Sequence, residues 1–318
     1  MKNLLAGLIF CLSFLSLNAQ PKKLVVAQDG SGNYKSVQAA FDAVPDNNEK
    51  PVLIYVKNGI YEEKLHLDSS KHSITLRGQD RYRTILTYND HTGKVSPTGD
   101  TINTFTSESF LLNSNGFVAE NISFQNNSGY NAGQAVAMRA DADLVIFRNC
   151  RFLGNQDVLF PAKPNTRQYF ERCYIEGTTD FIFGPSTAWF EHCEIHSKKN
   201  SHVTAASTPQ ETAFGYVFHE CALTADTSLH GVSLGRPWRS FSSVVYLNCY
   251  LGAHILPEGW NNWKNPSNEK TARYSEYKSC GPGANPSRRF PWTTQLTDEQ
   301  AGAINFANVF GEWNPLAK

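Results

Sequence analysis

What this sequence lacks narrows it first. It has no excess of charge: 29 lysines and arginines face 29 aspartates and glutamates, a formal net charge of zero. Nothing in that balance points to nucleic acid or to a charged membrane surface as partner, although a neutral total leaves room for a local basic groove. After the first twenty residues there is no apolar run of membrane-spanning length, so no transmembrane helix is expected in the body of the chain. The composition is not that of a disordered protein either, with 41% hydrophobic and 18% charged residues.

The one apolar run that is present opens the chain. MKNLLAGLIFCLSFLSLNAQ starts with a positive charge at Lys2, continues apolar, and ends in a small residue, Ala19. This reads as a secretory signal cleaved after about Ala19. Cys11 lies inside the apolar run, which argues against lipid attachment there. The expectation is an exported protein, periplasmic or secreted, with residues 20–318 as a single domain acting as a monomer.

Six cysteines follow the leader, an even number that in an exported protein suggests three disulfides. Their contexts suggest something else. Five sit in one pattern: FRNCRF, FERCYI, FEHCEI, FHECAL and YLNCYL, each with an aromatic residue three before the cysteine and an apolar residue two after. Cys150, Cys173, Cys193, Cys221 and Cys249 are 23, 20, 28 and 28 residues apart, and VAENIS adds a weaker copy with Asn121 in the cysteine's place. Such a period marks a solenoid. Alternation of cysteine with an apolar residue marks strands, and no helical pattern of ten or more residues separates the copies. The fold expected is all-β: a single-stranded right-handed parallel β-helix, one copy per coil, with short capping helices. Cysteines would then stack inside as small apolar side chains with free thiols. At the ends, KSVQAAFDAVP (35–45) reads as a helix capping the solenoid, PVLIYVKNGIY (51–61) and HSITLRG (72–78) as early strands, and LTDEQAGAINFANVFG as a helix starting near Thr297.

The ladder also counts out two carboxylates. Asp157 lies seven residues after Cys150, and Asp180 seven after Cys173. In equivalent coils they would stack at roughly 5 Å, where both cannot ionise cheaply and one holds its proton. That suits acid–base or nucleophilic work, against the blander reading of two turn aspartates in a repeat. Position 200 is Asn, which breaks the series at the next coil. Gln156 precedes Asp157, and an amide donor beside a carboxylate pair fits an oxyanion better than a metal. Phe160, Phe181, Phe183 and Trp238 crowd the same region as faces for sugar rings, and Arg236 in LGRPWRS is a candidate partner for one carboxylate.

Three other motifs carry less. GVSLG (231–235) matches the G-x-S-x-G of serine hydrolases, but Pro237 and a strand follow where that motif needs a helix, so Ser233 is not read as a nucleophile. HCEIH (192–196) suggests a two-histidine metal site, yet four residues along a strand span about 13 Å, too far for one ion. NNS (126–128) is a weak match to a glycosylation acceptor.

Taken together, GIYEE (59–63), GQAVAMRADAD (133–143), GNQDVLF (154–160), IEGTTDFIFG (175–184), LGRPWRSFSSVVYLN (234–248), ILPEGWNNW (255–263) and YSEYKSCGPGA (274–284) resemble the pectin methylesterases, carbohydrate esterase family 8. The matches run in order from about residue 24 to 315. The resemblance implies the pectin lyase-like β-helix and hydrolysis of methyl esters on polygalacturonate (pectin), releasing methanol without metal or cofactor. It implies Asp180 as nucleophile, Asp157 as general acid and then base, Gln134 and Gln156 as oxyanion hole, and Arg236 as the residue orienting Asp180. Trp238 would stack on substrate, and Phe160 and Phe183 would line the sugar cleft. The chain departs from the family's usual QDTL-Tyr: Val158 lacks a hydroxyl and Phe160 a phenol, which removes a hydrogen bond to sugar but none of the chemistry. The family also includes exported members associated with thioesters. A lyase or glycosidase on the same β-helix and a non-catalytic sugar-binding β-helix are the alternatives.

Overall fold

A computed structural model describes residues 22–317; the expected leader and its cleavage point lie outside the described residues. The chain winds as a right-handed parallel β-helix. Its strands form three sheets, of eleven, eight and seven strands among the described residues, called A, B and C here. One coil illustrates the path: Val145–Arg148 in sheet A, Arg151–Leu153 in sheet B, Leu159–Pro161 in sheet C, then Arg167–Glu171 back in sheet A. Every pairing between these strands and their neighbours is parallel.

The cysteine repeat is explained by the bend between sheets A and B. The residue before each ladder cysteine adopts a left-handed conformation: Asn149, Arg172, His192, Glu220 and Asn248 have φ between 51° and 54°, and Asn121 (φ 55°) occupies the same bend one coil earlier, so in the VAENIS copy Ile122, and not Asn121, stands in the cysteine's place. Asparagine takes this region most readily; arginine, histidine and glutamate take it at a cost of about 1 kcal/mol each. The bend turns the following cysteine inward. All five ladder cysteines are buried and free, while Cys280 is free and exposed. The thiol of Cys193 donates to the carbonyls of Phe170 and Glu191 at 3.5 and 3.4 Å. The aromatic three residues earlier also stacks from coil to coil: Phe147, Phe170, Phe190, Phe218 and Tyr246 have ring centroids 5.0, 4.6, 4.5 and 4.5 Å apart and planes within 13°. Rung spacing in a parallel sheet is close to the stacking distance of aromatic rings, so one ring per coil stacks on the next along the interior.

The N-terminal helix forms as expected, over Val37–Asp42. Ser36 caps it, the carboxylate of Glu63 accepts the N–H groups of Val37 and Gln38, and the buried Val37, Ala40 and Phe41 seat it on the solenoid. The stretch 51–61 is two strands, not one: Val52–Val56 in sheet A and Gly59–Glu62 in sheet B. The C-terminal helix starts at Asp298 with Thr297 as its cap but ends at Gly302; Asn305 caps a second one, Phe306–Phe310. An asparagine side chain that satisfies the next turn's N–H competes with helix continuation. The two helices lie along the outer face of sheet A, against Tyr169, Trp189, Val217 and Val245.

Candidate active site

Sheet C carries the site on its outer face. Its register aligns Arg139, Phe160, Phe183, Ala205 and Arg236 on successive rungs. Phe160, Phe183 and Ala205 belong to a small apolar cluster separate from the interior core. Just before these strands the backbone turns left-handed at Asp157 (φ 63°) and Asp180 (φ 50°), which aspartate tolerates. The turn allows the residues after it, Val158 with Leu159 and Phe181 with Ile182, to enter the core in pairs while the carboxylates stay outside. Asp157 N–H donates to the Thr179 carbonyl and Asp180 N–H to that of His202, so the two aspartates sit on adjacent rungs. The residue in register after Asp180 is therefore His202 and not Asn200, because sheet C advances 22 residues at that coil.

Asp157 and Asp180 are 8% and 5% exposed. Burial, and then the neighbouring charge of Asp180, push the Asp157 carboxyl well above the usual range. Burial also raises Asp180, but the hydrogen bonds and charge of Arg236 hold that rise back. The guanidinium of Arg236 donates from Nε to Asp180 Oδ1 at 2.9 Å and from Nη2 to Oδ2 at 2.6 Å. This is the paired geometry that stabilises a carboxylate most strongly. The same guanidinium lies 3.7 Å from the centroid of the Trp263 ring. The two carboxyl groups thus differ: one is held by a cation, and the other has a strong tendency to keep its proton.

A cleft of about 220 Å³ opens over them, lined by Thr104, Phe105, Gln134, Gln156, Asp157, Asp180, Phe183, Ala205, Arg236, Trp238 and Trp263. Gln134 and Gln156 face each other across a parallel bridge. Seven of the nine residues singled out from sequence therefore meet at one cleft. Phe160 does not line it: it is 5% exposed, with its ring 4.3 Å from Phe183 and 5.7 Å from Phe105. It backs the wall that Phe183 presents. Phe181 points the other way, into the core. Thr104, Phe105, Ala205 and Trp263 complete the lining, and no sequence pattern marks them. Trp263 lies within ILPEGWNNW, a segment noticed for its resemblance, but nothing in its local pattern says that a loop folds it over Arg236.

Ser233 is in strand Ser233–Gly235, 1% exposed, with its hydroxyl 2.7 Å from His202 Nδ1. Burial, and then the charge of Arg236, lower the His202 imidazole to about 4. The pair has serine–histidine chemistry in name only, because neither residue lines the cleft.

Comparison with known proteins points one way. The pectinesterase family profile matches residues 23–310. Pectinesterase 31 of Arabidopsis thaliana is 42% identical over 294 residues, covering 89% of this chain and 90% of that protein. Among solved structures, the pectin methylesterase from carrot superposes with a TM-score of 0.85 at 32% identity, covering 93% of this chain and 95% of that one. A pectin methylesterase in complex with a hexasaccharide superposes with a TM-score of 0.82 at 25% identity, covering 94% and 100%.

Proposed function

Because the chain belongs to the pectinesterase family, we propose that it hydrolyses pectin methyl esters through Asp180 and Asp157. It is an enzyme of the pectin methylesterase class. The assignment of roles to residues is our reading, and one observation carries it: a carboxylate clamped by Arg236 beside a carboxyl that burial pushes well above the usual range.

In this reading a methyl-esterified uronate lies in the cleft, its ring against Trp238, Trp263 and Phe183. The Asp180 carboxylate attacks the ester carbonyl carbon. The charge that develops on the carbonyl oxygen meets the amide N–H groups of Gln134 and Gln156, each such donor being worth about 3 kcal/mol. As the tetrahedral adduct collapses, the bond to the methoxy oxygen breaks and Asp157 gives that oxygen its proton, releasing methanol. An acyl-Asp180 anhydride remains. Water attacks the substrate carbonyl of this anhydride, the Asp157 carboxylate takes the water's proton, and Asp180 leaves as a carboxylate. The free uronate departs, with Asp157 protonated again.

The Arg236 clamp suits a nucleophile that must be ionised, and the high pKa of Asp157 suits an acid. The test is methanol release from highly methylated pectin, with polymer length followed in the same tube, for the wild type and Asp180→Asn. The expected outcome is methanol from the wild type only, at constant chain length. Activity in Asp180→Asn above a few per cent of wild type, with the fold intact, would end this assignment; chain shortening would indicate a lyase or glycosidase.

A further inference from the structure

The bend between sheets A and B has a second consequence, far along the coil from the cleft. In an extended strand, neighbouring side chains point to opposite faces. At the left-handed bend they do not. Glu191 ends a sheet A strand and His192 occupies the bend after it; one coil later His219 ends the strand and Glu220 occupies the bend. Glu191 is in register with His219. FEHC and FHEC, two copies of the repeat, thus place two glutamates and two histidines as a square with like residues on the diagonals.

The distances within the square are short. His192 Nε2 is 3.3 Å from Glu191 Oε1, and its Nδ1 is 3.3 Å from Glu220 Oε2. His219 Nδ1 is 3.0 Å from Glu191 Oε1, and its Nε2 is 3.9 Å from Glu220 Oε1. One donor atom each from Glu191, His192 and Glu220 lie within 4.8 Å of one another. Trp189 Nε1 donates to Glu191 Oε2 at 2.7 Å and fixes that carboxylate from behind. The bend residues on either side, Arg172 and Asn248, are not acidic, and Arg172 pairs with Glu171.

We propose that Glu191, His192 and Glu220, with His219 beside them, bind a divalent transition-metal ion, for which Zn²⁺ is the best-fitting candidate. Imidazole and carboxylate are ordinary zinc ligands, at about 2.0–2.2 Å. A tetrahedral set at those lengths has donor atoms about 3.3 Å apart. One imidazole gives an ion only one of its two nitrogens, so one His192–glutamate edge already has that separation, and the third donor, within 4.8 Å, closes by side-chain rotation. Two carboxylates balance the ion's charge. Calcium and magnesium, which call for six or more oxygens or retained water, fit poorly. His192 and His196, the pair in HCEIH, do not share this site: His196 turns to Thr224 in sheet B and to Asp226 just past that strand, at 2.9 and 3.1 Å. The histidine that does share it comes from the next coil.

The ion would join two coils on the face opposite the substrate cleft, so its effect is on stability and not on turnover. An imidazole must be neutral to bind a metal, so protons compete with the ion and binding strengthens from pH 6 to 7.5.

The experiment is a calorimetric titration of the full chain with zinc chloride at both pH values, with thermal unfolding followed in parallel. Wild type should bind one ion per chain with a higher Tm in zinc, and the His192→Ala/Glu220→Gln double variant should bind roughly tenfold or more weakly. Cooperative unfolding without zinc shows that the variant is folded; if it is not, Glu220→Gln alone, at an exposed position, takes its place. Absence of saturable binding at one ion per chain, or equal affinity in the variant, overturns the proposal.

Discussion

Replacing Arg236 tests the division of labour between the two aspartates most directly. Its guanidinium makes two charged hydrogen bonds to an Asp180 carboxylate that is itself 5% exposed. Truncating one partner of such a buried pair costs about 3–5 kcal/mol, mostly because the other charge is left alone. Here that loss falls on the attacking group. At about 1.36 kcal/mol per decade, kcat/KM of Arg236→Ala should drop about a hundredfold to several thousandfold near neutral pH.

The pH profile carries the sharper information. Burial raises Asp180 and Arg236 opposes that rise. The nucleophile must be ionised, so activity falls as pH drops through its raised pKa. Removing Arg236 leaves burial unopposed, and the acid limb of kcat/KM must move to higher pH. Arg236→Lys should lie between the two, because an ammonium keeps the charge but cannot make the paired contact or cover the Trp263 ring. Methanol release measured from pH 4 to 9 on the three proteins provides the comparison. An Arg236→Ala enzyme with an unmoved acid limb and only a few-fold loss would refute the reasoning.

Three further outcomes are expected. Asp157→Asn keeps the shape of the site but has no proton to give, so kcat should fall about 10²–10⁴-fold; the alkaline limb, set by Asp157 losing its proton, should vanish from the residual pH–rate profile. Phe190, fully buried between Phe170 and Phe218 at 4.6 and 4.5 Å, should cost about 3–5 kcal/mol as Phe190→Ala. Urea unfolding measures this, and a loss under 1 kcal/mol would contradict the stacked interior. In a chain beginning at residue 20, a thiol reagent should titrate only the exposed Cys280 in the native protein and the five ladder cysteines on unfolding; fewer than six thiols in denaturant would reveal disulfides.

Several features of this protein could be read without coordinates, and they share a cause. The coil, its inward cysteines and stacked aromatics, and the adjacency of Asp157 and Asp180 all follow from repetition, because equal offsets from a repeated residue become neighbours in a parallel ladder. Repetition also misled. The intervals vary, so counting seven from Cys193 reached Asn200, while the register of sheet C sets His202 beside Asp180. The helix read across the C-terminal segment missed Asn305, whose side chain caps a new turn instead of extending the old one.

The sequence by itself therefore determined what local pattern and period can encode: strands, their inward residues, the N-terminal cap, and the two carboxylates on neighbouring rungs. Only the tertiary structure decided what depends on contacts between distant loops and on the exact turn of the backbone. The bidentate grip of Arg236 across 56 residues, Trp263 folded over it and Phe105 closing the rim are of that kind. So is the retreat of Phe160 behind Phe183, and so is the square of glutamates and histidines. A left-handed φ of 51° at His192 turns neighbours in sequence into neighbours on one face, and no periodicity records that angle.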